Sequence, residues 1–355
     1  MENSVADFWE WTREFKKNSN RMRRNIYYFS TVFLLMLVFI FPACSDDEAR
    51  TDFPLSAVIF NSIDGKQVAF TALTHSAVSW EWDFGDGNVS SEKNPVHVYE
   101  EGGYYAASLT VKDKSGNSVM TKANLAVSLT PYALLTGDHT AEGYDGKTWK
   151  LTMSHTVNDK LVNSDAGFSL LDPDIPSLPS GAFSVYVGLP EAYNDEFTFY
   201  NDGSYKHDTT DGTSFGGIVY ASVLQQQGAA QITKVGGKAA LGADLFALTT
   251  YTPDENSTFV FNENEDFTIP TISDYATAVQ PPGIPVVTYP GVMTIDFPDS
   301  DAFVGIRDFH RKVIVQEVTN SSMRLVMFMT LSPDAMINQV ALSTSAVILT
   351  FEVVN

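Results

Sequence analysis

Few residue patterns in this 355-residue chain have the types and spacing that chemistry requires. Gly212-Thr213-Ser214-Phe215-Gly216 matches the nucleophile-elbow pattern, which needs a strand before the serine and a helix after it. Its flanks, Asp208-Thr209-Thr210-Asp211 and Gly217, have the composition of a loop, so Ser214 is given no catalytic role. The six histidines are scattered, without an H-E-x-x-H motif or a close pair, so no transition-metal ligand set is visible. Asp172, Asp174, Asp254, Glu255, Glu263, Glu265 and Asp266 lie in acidic loops. None follows the spacing of a calcium loop, so solvated charge is expected, no cofactor is assigned, and calcium is left open. Glycoside hydrolysis needs two carboxylates facing each other across the scissile bond, and no E-x-D-x-x-E signature supplies such a pair. Binding is easier to place than catalysis. Trp149 is the only tryptophan after Trp82, and an indole face can stack on the C–H side of a sugar ring. Tyr144, Tyr200 and Tyr205, at turns or strand ends, are lesser candidates. For each of these aromatics core packing competes with ligand contact.

Those residues need a frame, and the frame begins with an apolar run. Ile26 to Phe41 is apolar apart from two tyrosines, Ser30 and Thr31, and follows Arg21, Arg23 and Arg24. Basic, apolar and small residues in that order make a secretory signal over residues 1–43. The run is shorter than the roughly 20 apolar residues of a spanning helix. Phe8-Trp9-Glu10-Trp11 sits badly ahead of a signal, so translation is expected to begin at Met22. Ala43-Cys44 resembles the lipobox of bacterial lipoproteins, which implies a lipid on Cys44, the only cysteine. Ser45-Asp46-Asp47-Glu48 opens a tether over residues 44–54 and resembles the surface-export signal of Bacteroidetes-type lipoproteins. The resemblance implies an outer-membrane protein, lipid-anchored and facing the cell exterior.

Beyond Ala43 the chain holds 16 basic and 39 acidic side chains, a formal charge of −23. That balance excludes the counterion-release binding of nucleic acids and favours neutral or cationic partners.

Residues 55–128 alternate as short strands and turns. Within them stand Trp80-Glu81-Trp82-Asp83-Phe84-Gly85-Asp86-Gly87, then Asn94-Pro95, His97, Tyr99 and Gly103-Tyr104. Trp82 and Phe84 share one face of a strand and can fill the space between two sheets. Gly85 and Gly87 permit a tight turn that aspartates can cap. Asp83 and Asp86 as calcium ligands, or Trp80 as a sugar platform, are the functional alternatives to core and turn. The segment resembles a PKD domain, which implies an immunoglobulin-like β-sandwich that spaces or presents its neighbour.

The connection Ser128 to Tyr132 is short, so residues 132–355 are held close. They carry strand-like runs at Lys150–Met153, Phe183–Val187, Phe197–Phe199, Thr258–Phe261, Val313–Val318, Met323–Leu331 and Val347–Val353. Asn201-Asp202-Gly203-Ser204 is a hairpin signal. Val347, Leu349, Phe351 and Val353 alternate with Thr350 and Glu352, predicting a half-buried strand, whereas Met323–Leu331 predicts a central one. Val219–Gly242 has room for a short helix. An all-β chain follows: the first sandwich, then a larger antiparallel β-sandwich of jelly-roll type, with a lipocalin-like barrel as the alternative.

Three stretches, Gly146–Lys150, Asp195–Tyr205 and Asp301–Gly305, resemble the carboxy-terminal domains of Bacteroidetes lipoproteins in carbohydrate-uptake systems. The resemblance implies non-covalent capture of a polysaccharide or oligosaccharide by residues 132–355, with an outer-membrane uptake complex as partner. A glycan hydrolase or lyase on the same frame, and an adhesive lipoprotein with a protein partner, are the alternatives.

Overall fold

Alternation over residues 56–127 is converted directly into two facing sheets. The computed structural model describes residues 53–298 and 300–354. The signal, the Met22 start and Cys44 therefore lie outside the described residues. The strands β1 (Ser56–Asp64), β2 (Gln67–His75), β3 (Ser79–Asp83), β4 (Val89–Ser90), β5 (Val96–Val98), β6 (Gly103–Lys112) and β7 (Ser118–Val127) form two antiparallel sheets. Their orders are β1-β2-β5 and β4-β3-β6-β7. Val68, Phe70, Trp82, Phe84, Tyr99, Leu109 and Val111 fill the space between them. The two polar tips in this core are satisfied: Trp82 Nε1 donates to Glu92 O at 3.0 Å and the Tyr99 hydroxyl to Phe84 O at 3.0 Å. Gly85, at φ +80°, lies against the Ala106 backbone, where a Cβ would come 2.8 Å from the carbonyl oxygen. Asp83 Oδ1 accepts from Gly85 N at 2.9 Å and Asp86 Oδ1 from Asn88 N at 3.0 Å. The two aspartates cap the turn.

A short helix, Pro131–Thr136, makes the passage to the second sandwich. Thr130 caps it by accepting from Ala133 N at 3.1 Å, with proline at the first turn. Fifteen strands follow among the described residues. β8 (Lys147–Leu151), β9 (Lys160–Asn163), β10 (Glu196–Phe199) and β11 (Tyr205–Asp208) come first. Next come β12 (Thr213–Gly217), β13 (Ile232–Gly236) and β14 (Phe246–Thr250). β15 (Val260–Pro270), β16 (Ala278–Gln280), β17 (Ile284–Asp296), β18 (Val313–Val318) and β19 (Ser322–Met329) lead to the ribbon β20 (Met336–Ile337) and β21 (Val340–Ala341), then to β22 (Ser345–Val353).

The main sheet has ten strands, ordered β11-β10-β8-β22-β19-β18-β17-β15, with β16 on β17 and β9 on β22. The small sheet β12-β14-β13 lays Phe215, Phe246 and Leu248 on the same core as Trp149, Phe197, Leu325, Leu349 and Phe351. The chain is thus all-β, a first sandwich followed by a larger one. The main sheet also curls until its ends touch: Tyr205 N donates to Ser257 O and Phe259 N to Gly203 O, each at 2.9 Å. Tyr200 and Ser204 close the expected hairpin between β10 and β11.

Two local expectations change, and a third is met with a second helix besides the expected one. Phe183–Val187 is not a strand; Ala182–Val185 is a helical turn after Gly181 at φ +67°, and Phe183 packs on Phe215 and Phe246. The β22 strand is buried on both faces over most of its length. Val347, Leu349 and Phe351 enter the main core, while Ala346 and Ile348 enter a second one with Phe328 and Tyr289. Thr350, expected to face water, is buried because its hydroxyl and amide both bond Asp159, at 2.6 and 3.2 Å. Val219–Gly242 holds two helices, Ile218–Gln226 and Lys238–Leu241, flanking β13.

Candidate functional site

Trp149, the leading sequence candidate, is sealed in the core. Its place on β8, sharing a face with Lys147 and Leu151 and alternating with Thr148 and Lys150, turns it inward. The helix Pro131–Thr136 covers it, and Nε1 donates to Leu135 O at 2.9 Å. The Lys147 ammonium stands 4.5 Å from the ring centroid and donates to Leu134 O. No face of the indole is left for a sugar. Tyr205 is equally buried, its hydroxyl bonded to Phe303 O. Both are core residues, which corrects their assignment as ligand contacts.

Tyr144 and Tyr200 are brought together at the β10–β11 hairpin. The Tyr144 hydroxyl donates to Thr136 O and accepts from Asn201 N, both at 2.9 Å. The Tyr200 hydroxyl reaches Asp145 Oδ1 at 3.4 Å. Both rings are half-buried and both hydroxyls are engaged, so they brace the turn. Ser214 sits inside β12, paired with Thr249 of β14, its hydroxyl 3.2 Å from the Thr249 hydroxyl. It is buried in a regular strand and not raised on a turn, so it is no elbow.

Asp172 and Asp254 cap turns, whereas Glu263, Glu265 and Asp266 lie on β15 and not in the expected loops. Asp172, Asp254 and Asp266 accept backbone N–H bonds from Asp174, Asn256 and Gly291, and Glu265 pairs with Lys312 at 2.6 Å. Among the described residues no group of three or more His, Cys, Asp or Glu could hold a metal ion.

A surface with binding chemistry lies on the first sandwich. Outward residues of β3 and β6 face each other, Ser79 opposite Lys112 and Glu81 opposite Thr110. The two-residue β4 pairs only with Trp82 and Asp83, so on the side away from β6 the stretch Ser79 to Glu81 has no strand beside it among the described residues. The result is an open groove of about 560 Å³, walled on the other side by Val89, Ser90 and Ser91. Trp80 lines it, half-buried, and its buried indole N–H has no partner among the described residues. Lys93 Nζ stands 5.5 Å from the Trp80 ring centroid. An aromatic ring among hydroxyls, one carboxylate and one ammonium can stack on and hydrogen-bond a polar, ring-shaped ligand. Nearby, His97 Nε2 meets Asp86 Oδ2 at 2.6 Å. Burial pushes the Asp86 carboxyl up, but the bonds from His97 and Asn88 outweigh it and hold the group below its usual range.

A family model of the PKD domain matches residues 61–127, the span of this sandwich. Residues 61–127 form a PKD domain. A curated collagenase, ColA of Bacillus cereus, is 30% identical over 124 residues, 34% of this chain. The matched chain spans 12% of that relative's length. The solved PKD1 domain of Vibrio anguillarum Epp is 32% identical and covers 22% of this chain and 99% of its own, with a TM-score of 0.21. A solved carbohydrate-binding module of the β-sandwich superfamily is 14% identical over 86% of this chain and 93% of its own, with a TM-score of 0.22.

Sequence reasoning named Trp80 only as an alternative platform and missed a set of buried polar groups outside the PKD domain. Asp159 binds His155 Nδ1 at 2.9 Å, and His155 Nε2 continues to the Tyr193 hydroxyl at 2.7 Å. His207 pairs with Asp195 at 3.0 Å. The loop after β17 buries Arg307 and Asp308, with Asp308 Oδ2 unpartnered. The signal was present in Gly305-Ile306-Arg307-Asp308-Phe309-His310, where three ionisable residues are set among apolar ones.

Proposed function

We propose that the protein is a lipid-anchored, cell-surface carbohydrate-binding protein that captures a polysaccharide non-covalently and does not cleave it. The observation that carries this reading is the groove beside Trp80. Seven of its eight lining residues bear a polar group, and one wall is aromatic. Glu81 is its only carboxylate, whereas hydrolysis of a glycosidic bond ordinarily takes two. The signal run and Cys44 support an extracytoplasmic location and a lipid anchor, and with them a place beside an outer-membrane uptake complex. The groove moves the proposed contact from residues 132–355 to the PKD domain, which then both spaces and binds. Many anchored copies on one long glycan add effective affinity, so one groove need be only micromolar to millimolar, about −8 to −4 kcal/mol.

The chain from Ser45 onward, screened against soluble and insoluble glycans, tests this. Retention on at least one glycan that is lost in Trp80→Ala, with no shorter oligosaccharides released, is the expected result. Failure of retention across the panel, or release of shorter products, overturns it.

An adhesive role toward a protein rests on a different observation. The outer face of β1-β2-β5 exposes Val58 opposite Leu73, with Phe60, Val96 and Val98 beside them. An exposed apolar stripe of this kind marks protein contact. Because one relative is a collagenase, fibrillar collagen is the protein probe for the same screen, with Phe60→Ser as its control.

A further inference from the structure

The second sandwich contains a cavity that the carbohydrate reading does not use. It encloses about 210 Å³. Its floor is Phe183 and Phe246, which meet edge to face with ring centroids 5.5 Å apart. Leu161 and Leu178 form its walls, and Tyr186 and Ala240, both exposed, stand at its rim. The cavity therefore reaches the surface.

We propose that this cavity binds a small apolar molecule, an aromatic or branched aliphatic group of about ten non-hydrogen atoms. The lining offers no charged group, and the Tyr186 hydroxyl is its one polar side-chain function. A sugar placed there would leave its hydroxyls without partners, which an apolar site cannot offset. An apolar ring loses nothing of that kind and restores the dispersion contacts that an unfilled wall lacks. A dry cavity of about 150 Å³ lined by Leu, Ile and Phe is large enough for benzene, so this larger one takes a bicyclic or substituted ring. The rim is shaped for entry. The helix Lys238–Leu241 contributes Ala240 and Leu241, and it stands between Gly237 at φ +110° and Gly242 at φ +78°. Those two left-handed positions are freely available to glycine, so the turn is joined to the sheet by two permissive links. Gly237 N still donates to Val187 O at 3.0 Å, which keeps the rim in register with the helical turn on the other side.

Indole and toluene are the probes, added to the chain from Ser45 onward, with maltose as the polar control. Either apolar probe should raise the melting temperature in a concentration-dependent way. In carbon-detected methyl spectra the shifts should be confined to the lining methyls, those of Leu161, Ile175, Leu178, Ala182, Val187, Ala240 and Leu241. Ala240→Trp, placed at an exposed rim position, should abolish both responses, with circular dichroism showing that the variant is folded. Maltose should shift none of these methyls. The proposal is overturned if neither apolar probe perturbs those methyls, or if the perturbation lies elsewhere. It is also overturned if binding survives unchanged in Ala240→Trp.

Discussion

Trp149 donates its indole N–H to the carbonyl oxygen of Leu135 at 2.9 Å, with both side chains fully buried. The bond ties the connecting helix to β8 and uses the one polar atom the indole has. Trp149→Ala should therefore destabilise the protein by about 3–5 kcal/mol through the cavity it leaves. Trp149→Phe should cost less, because much of the packing survives and the lost hydrogen bond is worth about 1 kcal/mol. Urea unfolding checks both, and Trp149→Ala that unfolds like the wild type would show that the ring is not core.

Asp308 and His310 lie two residues apart in one buried loop and titrate in opposite senses. Burial pushes the Asp308 carboxyl up to about 7 and the His310 imidazole down to about 4. Between about pH 4 and 6.5 the folded loop keeps the Asp308 proton that the unfolded chain has released, so that group loses stability as pH rises. Over the same window the unfolded chain holds a histidine proton that the fold has expelled, so His310 gains stability as pH rises. The two slopes nearly cancel. Asp308→Asn should unmask the His310 rise, a gain of a few kcal/mol between pH 4 and 6.5. His310→Gln should unmask the fall due to Asp308, continuing to about pH 7. Unfolding free energies measured at several pH values decide it; parallel curves for wild type and both variants would rule it out.

Trp80 supplies the aromatic wall of the PKD groove while its other side packs against the first-sandwich core. Trp80→Ala should weaken glycan retention about tenfold, the equivalent of roughly 1.4 kcal/mol for one lost stacking contact. Circular dichroism should stay that of the wild type. Glu81→Gln keeps a hydrogen-bonding group in the same place and should leave retention within about threefold, a difference below 1 kcal/mol. A collapse of binding on Glu81→Gln would point instead to a charge-dependent site.

Cys44 carries the prediction about location. Cys44→Ser should block lipidation and shift the protein from the membrane fraction to the soluble fraction, or stall its processing. Membrane fractionation with mass spectrometry of the amino terminus reads this directly. Unchanged fractionation and processing would remove the anchor from the proposal.

How much of this was legible beforehand depends on how local each cause is. Trp82 and Phe84 share a strand face, and the residues that cap the turn at Gly85 lie within a few positions, so the sequence alone determined that core and that turn. The β10–β11 hairpin was legible for the same reason, since Asn201-Asp202-Gly203-Ser204 carries its own turn chemistry. The fate of Trp149 was not. Alternation places Trp149 and Leu151 on one face of β8, but it is silent on what covers that face. The cover is the helix before β8, and β8 itself is paired with β22 from the far end of the chain. The same distance hid the second buried face of β22, where Thr350 reads as a solvent position until Asp159 is folded against it. Periodicity assigns side chains to faces. Only tertiary contacts decide whether a face meets water, a sheet or a carboxylate, because burial is a property of the partner as much as of the strand.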